Sequence, residues 1–279
     1  MRELYYDNGK ETFLVHYRSG TSYQMFTSHF HTTYEFFHML SGQRKFFIKD
    51  RTFVIEAGDI VVVAPNVLHR TTNADTPDYE RLVVNVHESH LAAVGGAARI
   101  PALRPLFERD YVLLRQGSYD PSAIDALSAE MVREVREERP GYEDYARALI
   151  VQLLIACCRQ LPEQGGEQPA SANPAHERIF EVVRYINAHY REELTLQHLA
   201  ERLYMSPYSI SRSFKEATGF TFVEYVNSVR VKEAIALLLH SSLKVKVIAS
   251  KVGFGSVTHF GRVFKEVTGR APLFYRKEG

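Results

Sequence analysis

Imidazoles and a carboxylate recur at alternate positions in His29-Phe30-His31-Thr32-Thr33-Tyr34-Glu35, and another imidazole follows at His69. Side chains of an extended segment alternate between faces, so His29, His31 and Glu35 project to one side of a strand. Three chemistries suit such a set. Imidazole nitrogens and a carboxylate are ligands for Zn, Mn, Ni or Fe. Without a metal, the same groups hydrogen-bond a small polar molecule such as a sugar or an organic acid. They can also form a purely structural polar network. His16, His38, His87 and His90 lack this spacing and are read as core or surface histidines.

A second chemistry lies in the C-terminal third. Ser213-Phe214-Lys215-Glu216-Ala217-Thr218-Gly219 returns fifty residues later as Val263-Phe264-Lys265-Glu266-Val267-Thr268-Gly269. Each copy predicts a short helix, a tight turn and a second helix, over 196–219 and 247–269. Ser206 and Ser256 are suited to cap the second helices, and Gly219 and Gly269 to end them. Ile210, Phe214 and Ala217 form one stripe, as do Phe260, Val263, Phe264 and Val267; both should face inward. The opposite faces carry Tyr208, Ser211, Arg212 and Lys215, then Thr258, Gly261, Arg262 and Lys265. Arginine can hydrogen-bond a guanine edge in the major groove, and lysine near a helix end suits a phosphate. A single such helix would read as an ordinary solvated face. Two copies with the same Arg and Lys placement point to double-stranded DNA. Between them, 222–240 predicts a helix of about 28 Å, near the spacing of successive major grooves.

These constellations need different scaffolds. Residues 12–86 hold short Phe-, Val-, Tyr- and Ile-rich runs broken by Ser41-Gly42, Lys49-Asp50-Arg51, Ala57-Gly58-Asp59 and Ala64-Pro65-Asn66. That spacing predicts a sandwich or barrel. Two helices follow, from Asp120 to about Glu138 and from Tyr142 to Gln160. Residues 161–175 have almost nothing to bury and read as a linker. The chain is then helical to its end. The predicted organisation is a multi-domain α+β protein, with domains at 1–160 and 176–279.

Charge follows the same division. Residues 1–175 carry 18 Lys/Arg against 23 Asp/Glu, and residues 176–279 carry 16 against 10. A basic segment beside an acidic one suits a polyanion-binding module joined to a partner domain. Cys157 and Cys158 sit in an apolar helical run and read as reduced thiols. With no secretory signal and no long apolar stretch, the expectation is a cytoplasmic protein that does not enter a membrane.

Residues 194–276 resemble the DNA-binding domain of the AraC family of bacterial transcription regulators. The resemblance rests on Leu199-Ala200, Met205-Ser206-Pro207, Ser211 to Lys215, Thr218-Gly219, Arg230, Val252-Gly253-Phe254, Phe260, Arg262 to Lys265, Gly269 and Pro272. It implies base reading by Tyr208, Ser211 and Arg212, and by Val257, Thr258, Gly261 and Arg262. The family usually has Thr where this chain has Ala271. Gly261 and Val257 offer few hydrogen bonds, so the second unit is expected to read DNA more weakly or through shape. Upstream, His29 to Gly42 and Gly58 to Asn73 are similar to the two cupin motifs, with Val67 a departure. The resemblance implies a cupin-like β-barrel with a helical hairpin, ahead of an all-α domain with two helix-turn-helix units. It further implies a small-molecule effector near His29, His31, Glu35 and His69, and no catalysis. A cofactor is not expected; a divalent metal on those four residues, in a cupin enzyme or a metal-responsive regulator, is the alternative. Leu127, Met131, Val135, Leu149, Leu153 and Ile155 could form a homodimer interface through helices 120–160, or cover the barrel. RNA polymerase is a further expected partner.

Overall fold

A computed structural model describes residues 2–7, 13–21, 31–76, 78–95, 100–161 and 176–278. His29 and linker residues 162–175 lie outside the described residues. The N-terminal strands are β1 (Arg2–Asp7), β2 (Phe13–Thr21), β3 (Thr33–Ile48), β4 (Arg51–Glu56), β5 (Ile60–Val63), β6 (His69–Asn73), β7 (Asp78–His87) and β8 (Tyr111–Leu114). One antiparallel sheet runs β1-β2-β7-β3-β5-β8, while the distal half of β3 pairs instead with β4 and β6. The strand β3 therefore belongs to both halves of the barrel.

The bend in β3 corrects an expectation. Ser41-Gly42 is not a turn between strands, because β3 continues through it. The register with β7 shifts between Met39 and Ser41, and Gly42 takes φ +78°. A bulge with one left-handed residue redirects a strand without ending it. Strand β3 is also buried on both faces from Tyr34 to Met39. Phe37 and Met39 join the barrel interior, while Tyr34 and Phe36 face a helical layer. Burial on both faces explains why apolar and polar residues do not simply alternate along this segment.

That layer is α3 (Ser122–Glu137) and α4 (Tyr142–Arg159), preceded by α1 (Glu88–Gly95) and α2 (Arg104–Phe107). Met131, Val135, Leu149 and Leu153 are buried in the cluster that covers the barrel. They are consumed within the chain, so a dimer through this hairpin would use other residues. Strands β1 and β8 and helices α1 and α2 are too short or too weakly patterned to stand out in the sequence.

The C-terminal domain comprises α5 (Glu177–His189), α6 (Leu196–Leu203), α7 (Pro207–Thr218), α8 (Phe222–His240), α9 (Val245–Lys251), α10 (Val257–Thr268) and α11 (Pro272–Glu278). Helices α6–α7 and α9–α10 are the two expected helix-turn-helix units. Helix α9 starts two residues before the anticipated Val247. Helix α8 has the expected bounds, with a capping box in which Thr221 and Glu224 satisfy each other's backbone N–H groups. Arg230 on α8 donates to the carbonyls of Tyr190 and Glu192, at 2.8 Å each, and lies over the Phe254 ring. Those contacts tie α8 to the second unit's turn.

Candidate effector cavity and nucleic-acid interface

Strand parity builds the first site. Glu35 and Phe37 of β3, Arg81, Val83 and Asn85 of β7, and Leu14 and His16 of β2 line one cavity of about 270 Å³. Register places Glu35 opposite Asn85, Phe37 opposite Val83, and His16 opposite Val83. His69 and Thr71 of β6 close it from the other half of the barrel. Three of the four predicted residues meet here. His31 Nε2 lies 3.1 Å from Glu35 Oε2, and His69 Nε2 lies 3.5 Å from Glu35 Oε1. The fourth, His29, is outside the described residues.

Hydrogen bonding orients both rings. His31 Nδ1 donates to the Thr33 carbonyl and His69 Nδ1 to the Val67 carbonyl, each at 2.8 Å. Both therefore present Nε2 to one carboxylate. That approach is attractive when Nε2 carries a proton, or when a cation lies between the groups. Burial acts to raise the Glu35 carboxyl, but the charge of His69 and hydrogen bonds from His31 and His69 outweigh it and hold it well below the usual range. Burial acts to lower the His69 imidazole, but the charge and hydrogen bond of Glu35 raise it above its ordinary value. Ligand atoms of His31, Glu35 and His69 lie within 4.8 Å of one another, and such a donor set fits a divalent ion.

Asn85, Arg81 and His16 are cavity residues that motif spacing does not reveal. Asn85 Nδ2 sits 3.1 Å from His31 Nε2 and donates to Glu35 Oε2 at 3.3 Å. Strand pairing brings in His16, and local sequence carries no record of that pairing. A larger cavity of about 520 Å³ lies elsewhere, between the barrel and α3. Buried His38 borders it, with Nδ1 at 2.9 Å from Ser128 Oγ. The histidine cluster is not in this larger cavity.

The second site is a pair of helices. The side chain of Ser206 accepts from the Ser209 N–H at 3.1 Å, and that of Ser256 from the His259 N–H at 3.4 Å. Ile210, Phe214, Phe260 and Phe264 are fully buried. On the outer faces Tyr208, Arg212, Lys215, Val257, Thr258, Arg262 and Lys265 are exposed or half-buried at the surface, with Ser211 and Gly261 half-buried. Neither arginine folds inward; both side chains are exposed.

The barrel meets the first unit through a set of side-chain contacts. Arg70 of β6 donates to the Gly219 carbonyl, lies 4.0 Å over the Phe220 ring and pairs with Glu224 at 3.8 Å. Thr52 of β4 donates to the Ala217 carbonyl at 2.5 Å, and Tyr225 donates to the Lys49 carbonyl at 3.2 Å. Phe47 and Leu68 join the core of the C-terminal domain. Carbonyls at the C-terminal end of α7 are thus satisfied by the barrel.

Comparison with known proteins agrees with this division. The model of the AraC-like ligand binding domain matches residues 14–154, and that of a helix-turn-helix domain matches residues 199–278. The chain belongs to the AraC family and is a DNA-binding transcription regulator with a ligand-binding domain. It is 27% identical over 237 residues to the HTH-type transcriptional regulator YisR of Bacillus subtilis, covering 82% of this chain and 80% of YisR. It is 35% identical over 141 residues to the regulator YijO of Escherichia coli, covering 50% of this chain and 48% of YijO. Among solved structures, ToxT of Vibrio cholerae aligns with 96% of this chain and 98% of its own, at 19% identity and a TM-score of 0.40. Among the described residues, no helix is long and apolar enough to cross a membrane.

Proposed function

We propose that a small-molecule effector in the Glu35–His69 cavity controls how the two helix-turn-helix units engage an operator. One observation carries this reading: adjacent residues of β6 face opposite ways. His69 points into the cavity, and Arg70 holds the end of α7. A ligand that draws on His69 or Glu35 displaces β6, and Arg70 transmits the displacement to the first unit. Ligand and DNA are then thermodynamically coupled, each changing the other's affinity by the same factor. Tyr208, Ser211 and Arg212 read one half-site, and Val257, Thr258, Gly261 and Arg262 read the other. Lys215 and Lys265 meet phosphates. His29 completes the effector group with His31, Glu35 and His69. A homodimer through the exposed face of the α3–α4 hairpin would pair two such readers. RNA polymerase would contact the assembly on DNA.

Selection of bound sequences from random DNA by the full chain tests the reading. A recovered motif whose affinity falls steeply with salt is the expected result. Arg212→Ala should lose preference for that motif over random DNA. Unchanged preference in a double Arg212→Ala, Arg262→Ala variant would falsify the assignment.

A further inference from the structure

The buried arginines of the barrel differ in how their charge is met. Arg18 pairs with Glu3 at 3.1 Å, and Arg70 with Glu224 at 3.8 Å. Arg44 donates to Asn73 Oδ1 at 2.5 Å and lies 4.6 Å over the Tyr79 ring. Arg81 is equally buried, at 6% exposure, and lines the cavity. Among the described residues, no carboxylate comes within the 4.0 Å of an ion pair with it. Its near polar neighbours are an imidazole and a phenol: Nη2 donates to His16 Nδ1 at 3.3 Å, and the Tyr79 hydroxyl lies alongside.

The His16 ring is oriented by a second contact. His16 Nε2 is turned to Glu3 Oε1 at 2.8 Å, which leaves the Nδ1 lone pair for Arg81. Burial, followed by the charge of Arg81, holds the His16 imidazole below its ordinary pKa. The cavity's acid, Glu35, acts on Arg81 through its charge, but its oxygens are engaged by His31, His69 and Asn85 rather than by the guanidinium. A guanidinium has five N–H donors, and among the described residues none of Arg81's is met by a carboxylate at ion-pair distance. Burying a cation without a directly paired counter-ion costs several kcal/mol. That cost falls when an anion enters the cavity.

We infer that the effector is a small carboxylate, gripped by Arg81, with a hydrogen-bonding group at its other end. This rests on reading the cavity as the effector site, and it narrows the ligand class to acids. Between Arg81 and the Glu35–Asn85 end the walls are apolar at Phe37 and Val83, with His16 opposite Val83, and Leu14 adds an apolar side chain opposite Asn85. Arg81 and Asn85 are four residues apart on β7, about 13 Å between Cα atoms. The cavity therefore has a cationic end, a largely apolar middle and a polar end. A volume of about 270 Å³ suits a short chain. A carboxylate matches the planar guanidinium with two parallel hydrogen bonds. A phosphate ester brings nearly two charges to a single cation, in a cavity that already contains Glu35.

Calorimetric titration of the full chain tests this with three sets of probes. These are ω-hydroxy and ω-amino monocarboxylates of three to six carbons, neutral pentoses and hexoses, and glycerol 3-phosphate. At least one carboxylate should bind saturably, and Arg81→Met should weaken it about 30-fold or more. Arg81→Lys should recover part of the loss, because the charge returns without the planar fork. If Arg81→Met does not fold, the unaltered protein still reports: carboxylate titration should shift the Arg81 Nε–H resonance in an NMR spectrum. Sugar or phosphate-ester binding with undiminished affinity in Arg81→Met overturns the inference while leaving the effector cavity standing. Failure of every carboxylate to bind overturns it as well. Arg81-dependent carboxylate binding that leaves DNA affinity unchanged upholds the acid site and defeats the regulatory reading instead.

Discussion

The two helix-turn-helix units are near copies in sequence, but the contacts described above tie the barrel to the first. Both recognition helices start at a capping serine, end at a glycine with φ near +76°, and bury aromatic rings. Their last turns differ. A Cβ on Gly219 would lie 2.8 Å from Arg70 Cδ and 2.8 Å from Thr72 Cγ2, whereas one on Gly269 meets nothing within 4 Å. Phe220 lies beneath Arg70, while Arg270, fifty residues on, stacks over Phe274 of its own domain. The two copies share one fold, and contact with the barrel makes their last turns unequal. A controller attached to one reader can change how the pair fits DNA without altering either reading face.

The first effect expected of this inequality is on DNA. Arg212→Ala should cost about 1–3 kcal/mol in specific binding. Arg262→Ala should cost less, because Val257 and Gly261 give its unit fewer polar contacts with bases. Fluorescence anisotropy on the selected site and on random DNA separates the two. Equal losses, or a larger loss at Arg262, would break the comparison.

Stability comes next. Both glycines are left-handed, so Gly269→Ala should cost about 1–2 kcal/mol. Gly219→Ala adds crowding against Thr72 and Arg70, worth about 1–3 kcal/mol more. Urea unfolding of the full chain should rank the two variants in that order. If they are equally destabilised, the close approach of barrel and first unit is not maintained in solution. Arg70→Ala probes the same junction from the other side. It leaves the Gly219 carbonyl without its donor and should cost about 1–3 kcal/mol. Scanning calorimetry should then show the two domains melting further apart than in the unaltered protein. A single unchanged transition would mean that Arg70 does not join them.

The reading helices were legible in the sequence because their determinants are local. Ser206-Pro207, Gly219 and the stripe of Ile210, Phe214 and Ala217 all lie within one element, and the second copy repeats them. The cavity was half legible. Glu35 lies on β3, His31 lies in the segment just before that strand rather than on it as expected, and His69 fell within a second motif. Arg81, Asn85 and His16 reach the cavity through pairing of β7 with β3 and β2, which no short window encodes. Ser41-Gly42 misled for a related reason. The same two residues suit a turn or a bulge, and only the continued pairing of β3 distinguishes them. The junction was invisible, because Arg70, Thr52 and Gly219 are far apart in sequence and each has an ordinary local role.

The smallest predicted effect tests whether the second unit is also the less tightly finished of the two. Thr221 caps α8 in the first copy, accepting from the Glu224 N–H at 3.2 Å. The residue fifty positions later is Ala271, which has no side-chain acceptor to offer the start of α11. Ala271 is exposed, so a hydroxyl there meets no steric barrier from the core. Ala271→Thr should therefore stabilise the C-terminal domain by about 0.5–2 kcal/mol. Thr221→Ala should destabilise it by a similar amount, plus whatever is lost when Glu224 is freed from the capping box beside Arg70. Urea midpoints of the two variants measure both. A gain from Ala271→Thr with no change in DNA affinity would mean that the second unit's looser end is a matter of stability alone. A gain accompanied by tighter DNA binding would place the looseness of α11 within the reading mechanism.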